Sequence, residues 1–444
     1  MKKLICISSD IFIRNYMLSG AFNVLEDDDT FFIVSNRVKN RHCFESKKNF
    51  MGYVEELSWR ERAFEWLINI QMIRHFDRSR TFRFRFNRYP WSQRLKYMFA
   101  ALPGLSSLVM MLLRRHIGEN QSLRRYLKDV RPEVMILPSA AVGLLDYDVA
   151  RESKDLKIRT LFLVDGWDNL SSKTVFLVKP DFLGVWGPQS QAHARVIHDM
   201  PQSRVFNIGT PRFDHYFRIA APARLKAYPF PYVLFAGNAI PFDELSALQA
   251  LDAALAGSGI PDVRIIYRPH PWRQQRCCPD LFQEEDFKRI VIDKTVREAY
   301  YMAANGQRRE AFAVLPPLDE YPSLLANALC VVSPLSTMMI EAAIFNTPVL
   351  ALAYDDGIHY TSPHNALREY VHFEGVENLP GFVLCHKKPC LERTFLEVLD
   401  ACLKKGKPEG MRESLRQYLF FEERVYAQRL ADAVHVVGSG AVAI

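Results

Sequence analysis

The feature of the sequence best suited to binding a ligand is a turn that contains serine and threonine. In the segment VVSPLSTMMIEAAIF, an apolar run ends in small polar residues, Ser336 and Thr337 open the next predicted helix, and Glu341 lies one turn further along. Free N–H groups at a helix N-terminus bind phosphate, and a carboxylate accepts hydrogen bonds from ribose hydroxyls. We predict a nucleotide site here. The alternative is ordinary helix capping by Ser336 beside an exposed glutamate.

A second segment, IIYRPHPWR, places Arg268, His270 and Arg273 directly after an apolar strand, with a proline on each side of the histidine. The two prolines restrict the backbone around His270. An imidazole held at a strand end can donate to a phosphate and stabilise the charge that develops as a glycosidic bond breaks. We predict that His270 is catalytic and that Arg268 contacts the donor. The alternative is a histidine in a solvent-facing loop.

The segment TLFLVDGWDNLSSK ends another apolar strand with polar residues. Asp165 stands at the strand end beside Gly166, where a carboxylate can deprotonate an acceptor hydroxyl, so we predict that it is the general base. Asp168, Asn169 and Lys173 are further candidates for substrate binding, with Lys173 able to meet a phosphate. The alternative is a local turn, because Asp and Asn favour turns for purely local reasons.

A fourth segment, NIGTPRFDHY, also follows a strand-like run. Gly209 permits a tight turn. Arg212 can pair with a carboxylate or phosphate, including Asp214 of the same loop. We favour a structural role for Arg212 and Asp214 over ligand contact, with Arg212 retained as a candidate for substrate binding.

The elements that must position these residues alternate in type along the chain. Apolar runs recur at LICIS, FFIVSN, EVMILPS, RTLFLVDG, FLGVWG and RVFNIG and then, after the proline-rich AYPFPY, at YVLFAG, VRIIYRPHP, AFAVLP, ALCVVSP and PVLALAY. Continuous apolar strands separated by helices are typical of parallel sheets buried on both faces. The sequence therefore predicts an α/β fold with two Rossmann-like domains that face a cleft.

The chain length agrees with two domains, since 444 residues exceed what one hydrophobic core usually serves. We place an acceptor domain at residues 1–227, with a helical insertion at about 58–127, and a nucleotide-donor domain at residues 228–411. The boundary is expected near residues 225–231. Residues 412–444 form a last helix that is expected to cross back to the first domain.

The helical insertion concentrates the positive charge of the chain, whose net charge is +7. Its arginines alternate with aromatic residues at Phe82, Phe84, Phe86, Tyr89 and Trp91, and the apolar run at residues 97–113 lies beside Arg114 and Arg115. Basic and interfacial aromatic residues together favour docking on an anionic bilayer. The alternative is an internal helical subdomain whose aromatics form a core and whose arginines face solvent.

Several other classes of protein are disfavoured. The eight cysteines include no CxxC pair, and the opening apolar run is cut by Ser8, Ser9 and Asp10, so we expect a cytoplasmic protein. Docking through the basic insertion would make it peripheral at the inner membrane. Residues 97–113 are shorter than the roughly 20 residues of a membrane-spanning helix. No recognisable nucleic-acid module accompanies the positive charge, so no nucleic-acid partner is expected.

The four polar segments, in their order, carry a resemblance. WDN, then GxPRxD, RPHP and SPxST with a glutamate in the next helix, resemble the bacterial CDP-glycerol glycerophosphotransferase and capsule-polysaccharide transferase group of the GT-B fold, over residues 131–354. The resemblance implies that His270, Ser333, Ser336 and Thr337 bind the diphosphate or nucleotide of a donor. An acidic-Gly pair followed by His-Pro is also similar to bacterial sialyltransferases, in which the acid is the base, and this implies that role for Asp165.

The expected function is metal-independent transfer of a sugar from a nucleotide-sugar to a surface glycan such as lipopolysaccharide or capsule, on a glycan or lipid-linked acceptor. No cofactor and no metal are expected; the acidic triplet at residues 27–29 lies in a turn, without the rest of a metal-dependent transferase fold. Because SPLST lacks the acidic and aromatic pair of the glycerophosphotransferases, transfer of a polyol phosphate is less favoured than transfer of a sugar. The same architecture would also suit a nucleotide-sugar 2-epimerase or a non-catalytic nucleotide-sugar sensor.

Overall fold

The computed structural model describes residues 1–218, 227–270, 282–304, 318, 320–422 and 424–440. These residues form two compact units. The first contains Met1–Asp214, Tyr370–His372 and the chain from Arg416 onward, and the second contains His215–Glu369 and Phe373–Leu415. The boundary predicted near residues 225–231 lies partly outside the described residues, as do Arg273 and the predicted strand AFAVLP.

The first unit is built on seven parallel strands in the order β3-β2-β1-β4-β5-β6-β7. The strands are β1 (Lys3–Ile7), β2 (Thr30–Ser35), β3 (Phe50–Val54), β4 (Val134–Ser139), β5 (Arg159–Val164), β6 (Phe182–Val185) and β7 (Val205–Asn207). Its helices are α1 (Asp10–Phe12), α2 (His42–Glu45), α3 (Ser58–Ile73), α4 (Arg80–Phe86), α5 (Trp91–Ala100), α6 (Leu105–Ile117), α7 (Gln121–Val130), α8 (Leu144–Asp155), α9 (Pro188–His198), α10 (Pro211–Arg218), which runs into the second unit, and the C-terminal helix Tyr426–Ser439. Two π-helical turns, Ile13–Leu18 and Asn169–Lys173, follow β1 and β5.

Alternate residues of these strands enter two different cores, because successive side chains of a strand point to opposite faces. One core packs strand residues against the C-terminal helix, and it contains Ile5, Val34, Ile136, Leu161, Leu430 and Val434. The other packs the intervening strand residues against α7, α8 and α9, and it contains Cys6, Ile33, Met135, Phe162, Leu127 and Ala194. Burial on both faces explains why the strands are continuous apolar runs.

The C-terminal helix Tyr426–Ser439 is fixed to the first unit at its first turns. The Tyr426 amide donates to Asp214 at 3.0 Å, and Arg429 Nε donates to the Ile208 carbonyl at 2.9 Å. An Arg429 nitrogen lies 3.5 Å from the Asp214 carboxylate. Asp214 therefore has the structural role that we favoured from sequence.

Helices α3 to α7 form the basic insertion. Its aromatic residues Phe82, Phe84 and Phe86 are buried, each at 5% exposure or less, and Phe82 and Phe86 share a core with Val175 and Ile197. The prediction that these three aromatics face a membrane is therefore wrong: α4 packs against α3 and the Asn169–Lys173 turn, and the Phe84 ring packs edge-on against Tyr370 at 5.5 Å. Trp91, in contrast, is 68% exposed.

The second unit has six parallel strands in the order β10-β9-β8-β11-β12-β13. They are β8 (Tyr232–Ala236), β9 (Arg264–Arg268), β10 (Ile290–Ile292), β11 (Val331–Ser333), β12 (Val349–Leu352) and β13 (Phe382–Cys385). The helices are α11 (Glu244–Gly257), Arg297–Ala304, Glu320–Asn327, Met338–Ile344, Pro363–Glu369, Leu391–Lys405 and Met411–Ser414. A core that includes Phe235, Leu248, Tyr267, Val332 and Phe395 joins the sheet to α11 and Leu391–Lys405.

The predicted fold class is confirmed, with two parallel α/β sheets and a helical segment inside the first. Strands β3, β10 and β13 were not predicted. Each is at or near a sheet edge, β10 and β13 span only three and four residues, and β3 and β13 are only partly buried. The apolar runs of these edge strands are short, and a short apolar run cannot be assigned to a strand from its pattern alone.

No single described helix is long and apolar enough to cross a membrane. Helices α5 and α6 reach that length and composition only when taken together, and the pair is bent by 97°.

A buried ion pair attaches the insertion to the first sheet. Arg60 of α3 is 1% exposed, and its two terminal nitrogens donate to the Asp148 carboxylate of α8 at 2.6 and 2.7 Å. The same guanidinium donates to the Ile117 and Gly118 carbonyls at the end of α6. One side chain therefore connects α3, α6 and α8.

We expect Arg60→Met to destabilise the first unit by about 3 to 5 kcal/mol, because it leaves the Asp148 carboxylate buried without its cation. Urea denaturation followed by circular dichroism measures the loss. The double variant Arg60→Met with Asp148→Leu should recover most of it, since no unpaired charge remains. Arg62→Met, on the exposed side of α3, is the matched control, and an equal effect of the two single variants would contradict the assignment.

Candidate functional site

Both sheets contain a point where the strand order reverses. In the first unit this point lies between β1 and β4, and in the second it lies between β8 and β11. Ligands of open parallel sheets bind outside the carboxyl ends of the strands at such a point. The SPLST turn, which begins at the last residue of β11, stands at the reversal of the second sheet.

The SPLST turn is fastened to the end of β8 by two buried side chains. Ser333 Oγ donates to the Ala236 carbonyl at 3.0 Å and shares a 2.7 Å hydrogen bond with Ser336 Oγ. From the other strand end, Asn238 Nδ2 donates to the Pro334 carbonyl at 2.7 Å and to the Leu335 carbonyl. The turn is thus fixed relative to β8 through hydrogen bonds in both directions.

The backbone of this turn is strained at Leu335, whose φ is 59°. A leucine rarely adopts the left-handed region, and the strain persists only where the surroundings enforce it. Here the two carbonyl contacts of Asn238 enforce it. The residues that follow, Ser336 and Thr337, are partly exposed at the start of helix Met338–Ile344.

The structure differs from the capping interpretation in both of its parts. The N-cap residue of the helix is Thr337, which makes no side-chain capping bond, and the Ser336 hydroxyl bonds to Ser333. Glu341 is not exposed: it is 4% exposed and accepts a hydrogen bond from the Tyr216 hydroxyl at 2.7 Å. Its contact with a ribose stays a prediction.

Arg268 has a different environment from the one we expected. Its guanidinium is buried, forms an ion pair with Asp293, lies 2.7 Å from Glu320 and stacks over the Tyr321 ring at 4.4 Å. These partners follow β10 and begin helix Glu320–Asn327, so the contacts connect the end of β9 to its neighbours. Donor contact by Arg268 stays a prediction, and the geometry that is present serves to position the β9 end.

His270 follows Arg268 by two residues and is partly buried. The Gly237 amide donates to the Arg268 carbonyl at 2.9 Å, and a Cβ on Gly237 would lie 3.1 Å from the His270 nitrogen and 2.9 Å from Glu244 Oε2. Only glycine allows so close an approach. The turn after β8 and the end of β9 therefore touch through their backbones. His270 and the SPLST turn follow β9 and β11, the two strands that flank β8.

Sequence reasoning missed Asn238 and Glu244. Glu244 is buried and accepts from the Tyr267 hydroxyl at 2.7 Å and from the Asn238 amide at 3.0 Å. The sequence did contain a signal for these residues. The pair Gly237-Asn238 follows the apolar run of β8 in the same way as SPLST follows that of β11.

In the first unit, Asp165 follows β5 and lies next to the switch point. Its amide donates to the Ser139 carbonyl at 3.0 Å, and Asn15 Nδ2 donates to its carboxylate oxygens at 3.1 and 3.4 Å. Burial raises the pKa of Asp165 above the ordinary carboxyl range, although the positive charges of Arg212, Arg14 and Lys173 and the amide of Asn15 oppose the shift. The result is a carboxylate more basic than usual and held by one oriented donor.

Asn15 was not predicted as a site residue. It lies in the π-helical turn Ile13–Leu18 after β1 and is 1% exposed. The sequence separates it from Asp165 by 150 residues. Only the strand order, which makes β1 and β4 neighbours and β4 and β5 neighbours, brings the two together.

The remaining candidates on the WDN segment mainly contact one another. Lys173 Nζ lies 2.8 Å from Asp168 Oδ2, and Asn169 is buried directly against Gly166. Burial by itself would raise the pKa of Asp168, but nearby positive charge, chiefly that of Lys173, outweighs it and lowers the pKa to about 2. These contacts agree with a local turn, and substrate binding by Asp168, Asn169 and Lys173 stays a prediction.

A segment from the middle of the chain completes this turn. His372 packs edge-on against the Trp167 ring at 5.0 Å, and its Nδ1 lies 3.2 Å from Ser171 Oγ. Burial lowers the pKa of His372 to about 3, so its imidazole is neutral at neutral pH. The Trp167 ring also packs against Tyr418, and the WDN segment is thereby fixed within the first unit.

The positive charge of Arg212 acts on the Asp165 carboxylate, and aromatic rings orient the Arg212 guanidinium. Its guanidinium stacks over the Phe213 ring at 4.6 Å and over the Trp186 ring at 5.6 Å. Trp186 Nε1 in turn donates to the Asp165 carbonyl at 3.1 Å. The two rings orient a cation that favours the ionised form of Asp165.

No group of three or more His, Cys, Asp or Glu side chains that could hold a metal is found among the described residues. In the acidic triplet, Asp27 pairs with Lys3 at 2.6 Å and Asp28 with Lys48 at 3.0 Å. The prediction of metal independence is not tested by these contacts.

A further acidic residue, Asp146, was also missed. It lies in the first turn of α8 beside the switch point, accepts from the Gly143 amide at 2.5 Å and the Val142 amide at 3.1 Å, and bonds to the Ser139 hydroxyl. Burial raises the pKa of Asp146 to about 6 in spite of these donors. Its oxygens are occupied by the turn that follows β4, so we assign it a structural role.

Comparison with known proteins yields a likeness of fold. No protein-family model and no curated protein match the sequence. The UDP-GlcNAc 2-epimerase from Methanocaldococcus jannaschii superimposes with a TM-score of 0.50 and 11% identity, covering 98% of this chain and 100% of that one. The UDP-N-acetylglucosamine 2-epimerase from Rickettsia bellii gives 0.50 and 12%, covering 99% and 98%. The glycotransferase of kitacinnamycin gives 0.51 and 11%, covering 98% of each chain.

These neighbours confirm the predicted GT-B fold and extend over nearly the whole chain. They do not single out the CDP-glycerol glycerophosphotransferase group, to which the four motifs are similar. At such low identity the likeness shows the fold and leaves the activity to be argued from the site.

We expect Asp146→Asn to change stability in a pH-dependent way. Because the folded-state pKa of about 6 exceeds that of an unfolded aspartate, the carboxyl contributes stability when protonated, and this contribution is lost as the pH rises through 6. Relative to the wild type, the asparagine variant should therefore gain about 1 kcal/mol between pH 5 and pH 7.5. Urea denaturation at the two pH values measures it. A stability difference that is the same at both would show that Asp146 titrates normally.

Proposed function

We propose that this chain is a glycosyltransferase that uses a nucleotide-sugar donor, with a surface glycan on a lipid carrier as acceptor. The observation that supports it most is the SPLST turn at the switch point of the second sheet, which Asn238 holds in place. His270 lies on the other side of β8, at the end of β9. Hydroxyls, amides and an imidazole at the ends of three adjacent strands match the donors that a nucleotide diphosphate or monophosphate requires.

The donor site of this proposal consists of Ser336, Thr337 and His270, with Ser333 and Asn238 fixing the turn. Two buried carboxylates on the helices that follow β11 and β8, Glu341 and Glu244, each accept a hydrogen bond from a tyrosine. In this proposal Arg268 also has a positioning role, because its ion pairs hold the strand end that His270 follows.

The reaction requires a base on the acceptor, and we assign this role to Asp165. Its carboxylate takes the proton of the acceptor hydroxyl, whose oxygen forms the new bond to the anomeric carbon. The bond between that carbon and the donor phosphate breaks, and the nucleotide leaves with the electron pair, its charge met by His270 and the SPLST turn. Asn15 orients the base, and Arg212 favours its ionised form.

The second candidate is a nucleotide-sugar 2-epimerase, because two of the solved structures with the same fold are UDP-GlcNAc 2-epimerases. Such an enzyme changes the donor without an acceptor. Incubation with UDP-N-acetylglucosamine alone distinguishes the two: the epimer supports the second candidate, and an unchanged sugar supports the first. Polyol-phosphate transfer from CDP-glycerol is tested in the same assay with that donor.

Thermal shift with UDP, GDP, CMP and CDP tests the shared premise. A ligand that binds only the folded state stabilises it in proportion to the logarithm of its concentration over its Kd. We expect a concentration-dependent shift with one of the four. No shift with any of them at concentrations that saturate nucleotide-sugar enzymes would reject both candidates.

We expect His270→Ala to lower turnover by about 100-fold, the effect of removing one preorganised donor to a developing charge. Steady-state kinetics with the identified donor measures it. His386→Ala, an exposed histidine of the second unit, is the control and should keep wild-type turnover. A folded His270→Ala variant with normal kcat would remove His270 from the mechanism.

Asp165→Asn should abolish transfer while nucleotide affinity, measured by calorimetry, stays at the wild-type value, because the base acts on the acceptor. In the wild type, kcat/KM should fall on the acid side at a pH above the ordinary aspartate range near 4, since only the ionised carboxylate accepts a proton and burial raises its pKa. Asp155→Asn, exposed on α8, is the control. Transfer that persists in Asp165→Asn would exclude Asp165 as the base.

A further inference from the structure

Helices α5 and α6 expose an unusual number of large apolar side chains. Trp91 is 68% exposed, Phe99 67% and Met111 58%. Together with their neighbours they form what we call the α5–α6 face: Trp91, Leu95, Met98, Phe99, Leu102, Leu108, Met111 and Leu112. A helix of a water-soluble protein usually has polar residues on its outer side, and a contiguous exposed apolar surface marks an interaction site.

The spacing shows that this face is separate from the side of each helix that packs inward. On α5 the exposed residues recur at intervals of four, three and one, from Trp91 to Phe99, while Tyr97 and Ala100 are buried. On α6 Leu108, Met111 and Leu112 are exposed, while Met110 and Ile117 enter the core. Each helix therefore has apolar residues on two sides. In the described part of the chain, other residues bury the inward side and leave the α5–α6 face exposed.

The charged residues of the chain segment that forms the face have a single sign. A carboxylate that contacts α5 from outside this segment, Glu65 of α3, accepts a hydrogen bond from the buried Tyr97 at 3.3 Å. No Asp or Glu occurs between Asp77 and Glu119, whereas Lys96, Arg114 and Arg115 lie on these two helices or at their ends. All three are exposed. Among the described residues, none of the three forms an ion pair with a carboxylate. Arg114 donates a hydrogen bond to the Leu177 carbonyl at 3.4 Å, which leaves its charge without a carboxylate partner among the described residues. The α5–α6 face is thus an apolar surface bordered by exposed cations.

We propose that the α5–α6 face docks on an anionic lipid bilayer. Aromatic and aliphatic side chains would enter the interfacial layer, and Lys96, Arg114 and Arg115 would contact lipid phosphates. A second copy of the chain fits less well, because a twofold contact through this face would bring the same cations together. Each helix is too short to span, so the docking is shallow.

The surface belongs to the unit that contains the proposed base. Helix α3 contacts α4, α5 and α6, and α4 contacts the Asn169–Lys173 turn that follows Asp165. A lipid-linked acceptor would therefore be presented to the unit that docks, an extension that rests on the proposed function. Binding to lipid itself does not require it, and is measured without nucleotide.

Co-sedimentation of the full chain with vesicles tests the proposal. We expect binding to vesicles of phosphatidylglycerol mixed with phosphatidylcholine at low salt, weaker binding at high salt because charge is screened, and little binding to phosphatidylcholine alone. The double variant Lys96→Glu with Arg115→Glu should bind at least about 25-fold more weakly, at about fivefold for each basic residue removed from the surface.

The apolar part of the face is tested by Trp91→Ala with Phe99→Ala, which should lose the binding that remains at high salt. Lys404→Glu with Lys405→Glu makes the same change in net charge on a helix of the second unit, and Ile358→Ala with Tyr360→Ala removes exposed apolar groups there. These controls should bind as the wild type does. Circular dichroism establishes that each variant is folded.

Two results would overturn the proposal. One is a folded wild-type chain that does not bind anionic vesicles at low salt. The other is binding that the control pairs reduce as much as the α5–α6 variants. Sedimentation velocity adds a third arm: a dimer that Trp91→Ala with Phe99→Ala dissociates, together with absent lipid binding, would assign the face to a second copy. The nucleotide thermal shifts test the proposed function separately, and none of these outcomes for lipid binding predicts a change in them.

Discussion

A parallel strand that is buried on both faces has no solvent-facing side chain until it ends. In this protein that constraint applies to two sheets, and it concentrates polar chemistry at the carboxyl edges of the strands. Asp165, His270 and the SPLST turn all occur within two residues of a strand end or just beyond it. The reversal of strand order then decides which ends become neighbours, so Asn238 reaches the SPLST turn and Asn15 reaches Asp165 across long stretches of sequence.

The arginines of this protein fall into two groups: those whose ion pairs hold the fold together, and those whose charge acts on a neighbouring acid. Arg268 and Arg60 are buried with carboxylates and carbonyls around them, and removing either would leave a buried charge uncompensated. Arg212 differs, because aromatic rings orient its guanidinium and Asp165 feels its charge. An ion pair inside the protein fixes geometry, whereas a cation stacked on rings beside a half-buried acid tunes the pKa of that acid.

The central strands and the four polar segments could be predicted from sequence, because each is a local pattern: an apolar run followed by small or charged residues. The side chains that contact those segments could not be predicted, because Asn15, Asn238 and Glu244 come close to them only through the order of the strands. The roles of Phe82, Phe84 and Phe86 were misjudged for a related reason. Alternation with arginine suggested that these rings are exposed, but α4 packs against α3, the Asn169–Lys173 turn and Tyr370. Tertiary packing of this kind cannot be inferred from the pattern of one helix.

The insertion bears on the choice between the two enzymatic candidates. An epimerase meets only soluble nucleotide-sugars, and for such an enzyme an apolar face rimmed by cations contributes nothing to the reaction while it increases the tendency to aggregate. A transferase whose acceptor is anchored in lipid has a use for the same face, because docking confines both the enzyme and its acceptor to one surface and raises their effective concentration. The exposed tryptophan and phenylalanine of α5 therefore favour a transferase over an epimerase. This argument does not depend on the motifs at the strand ends.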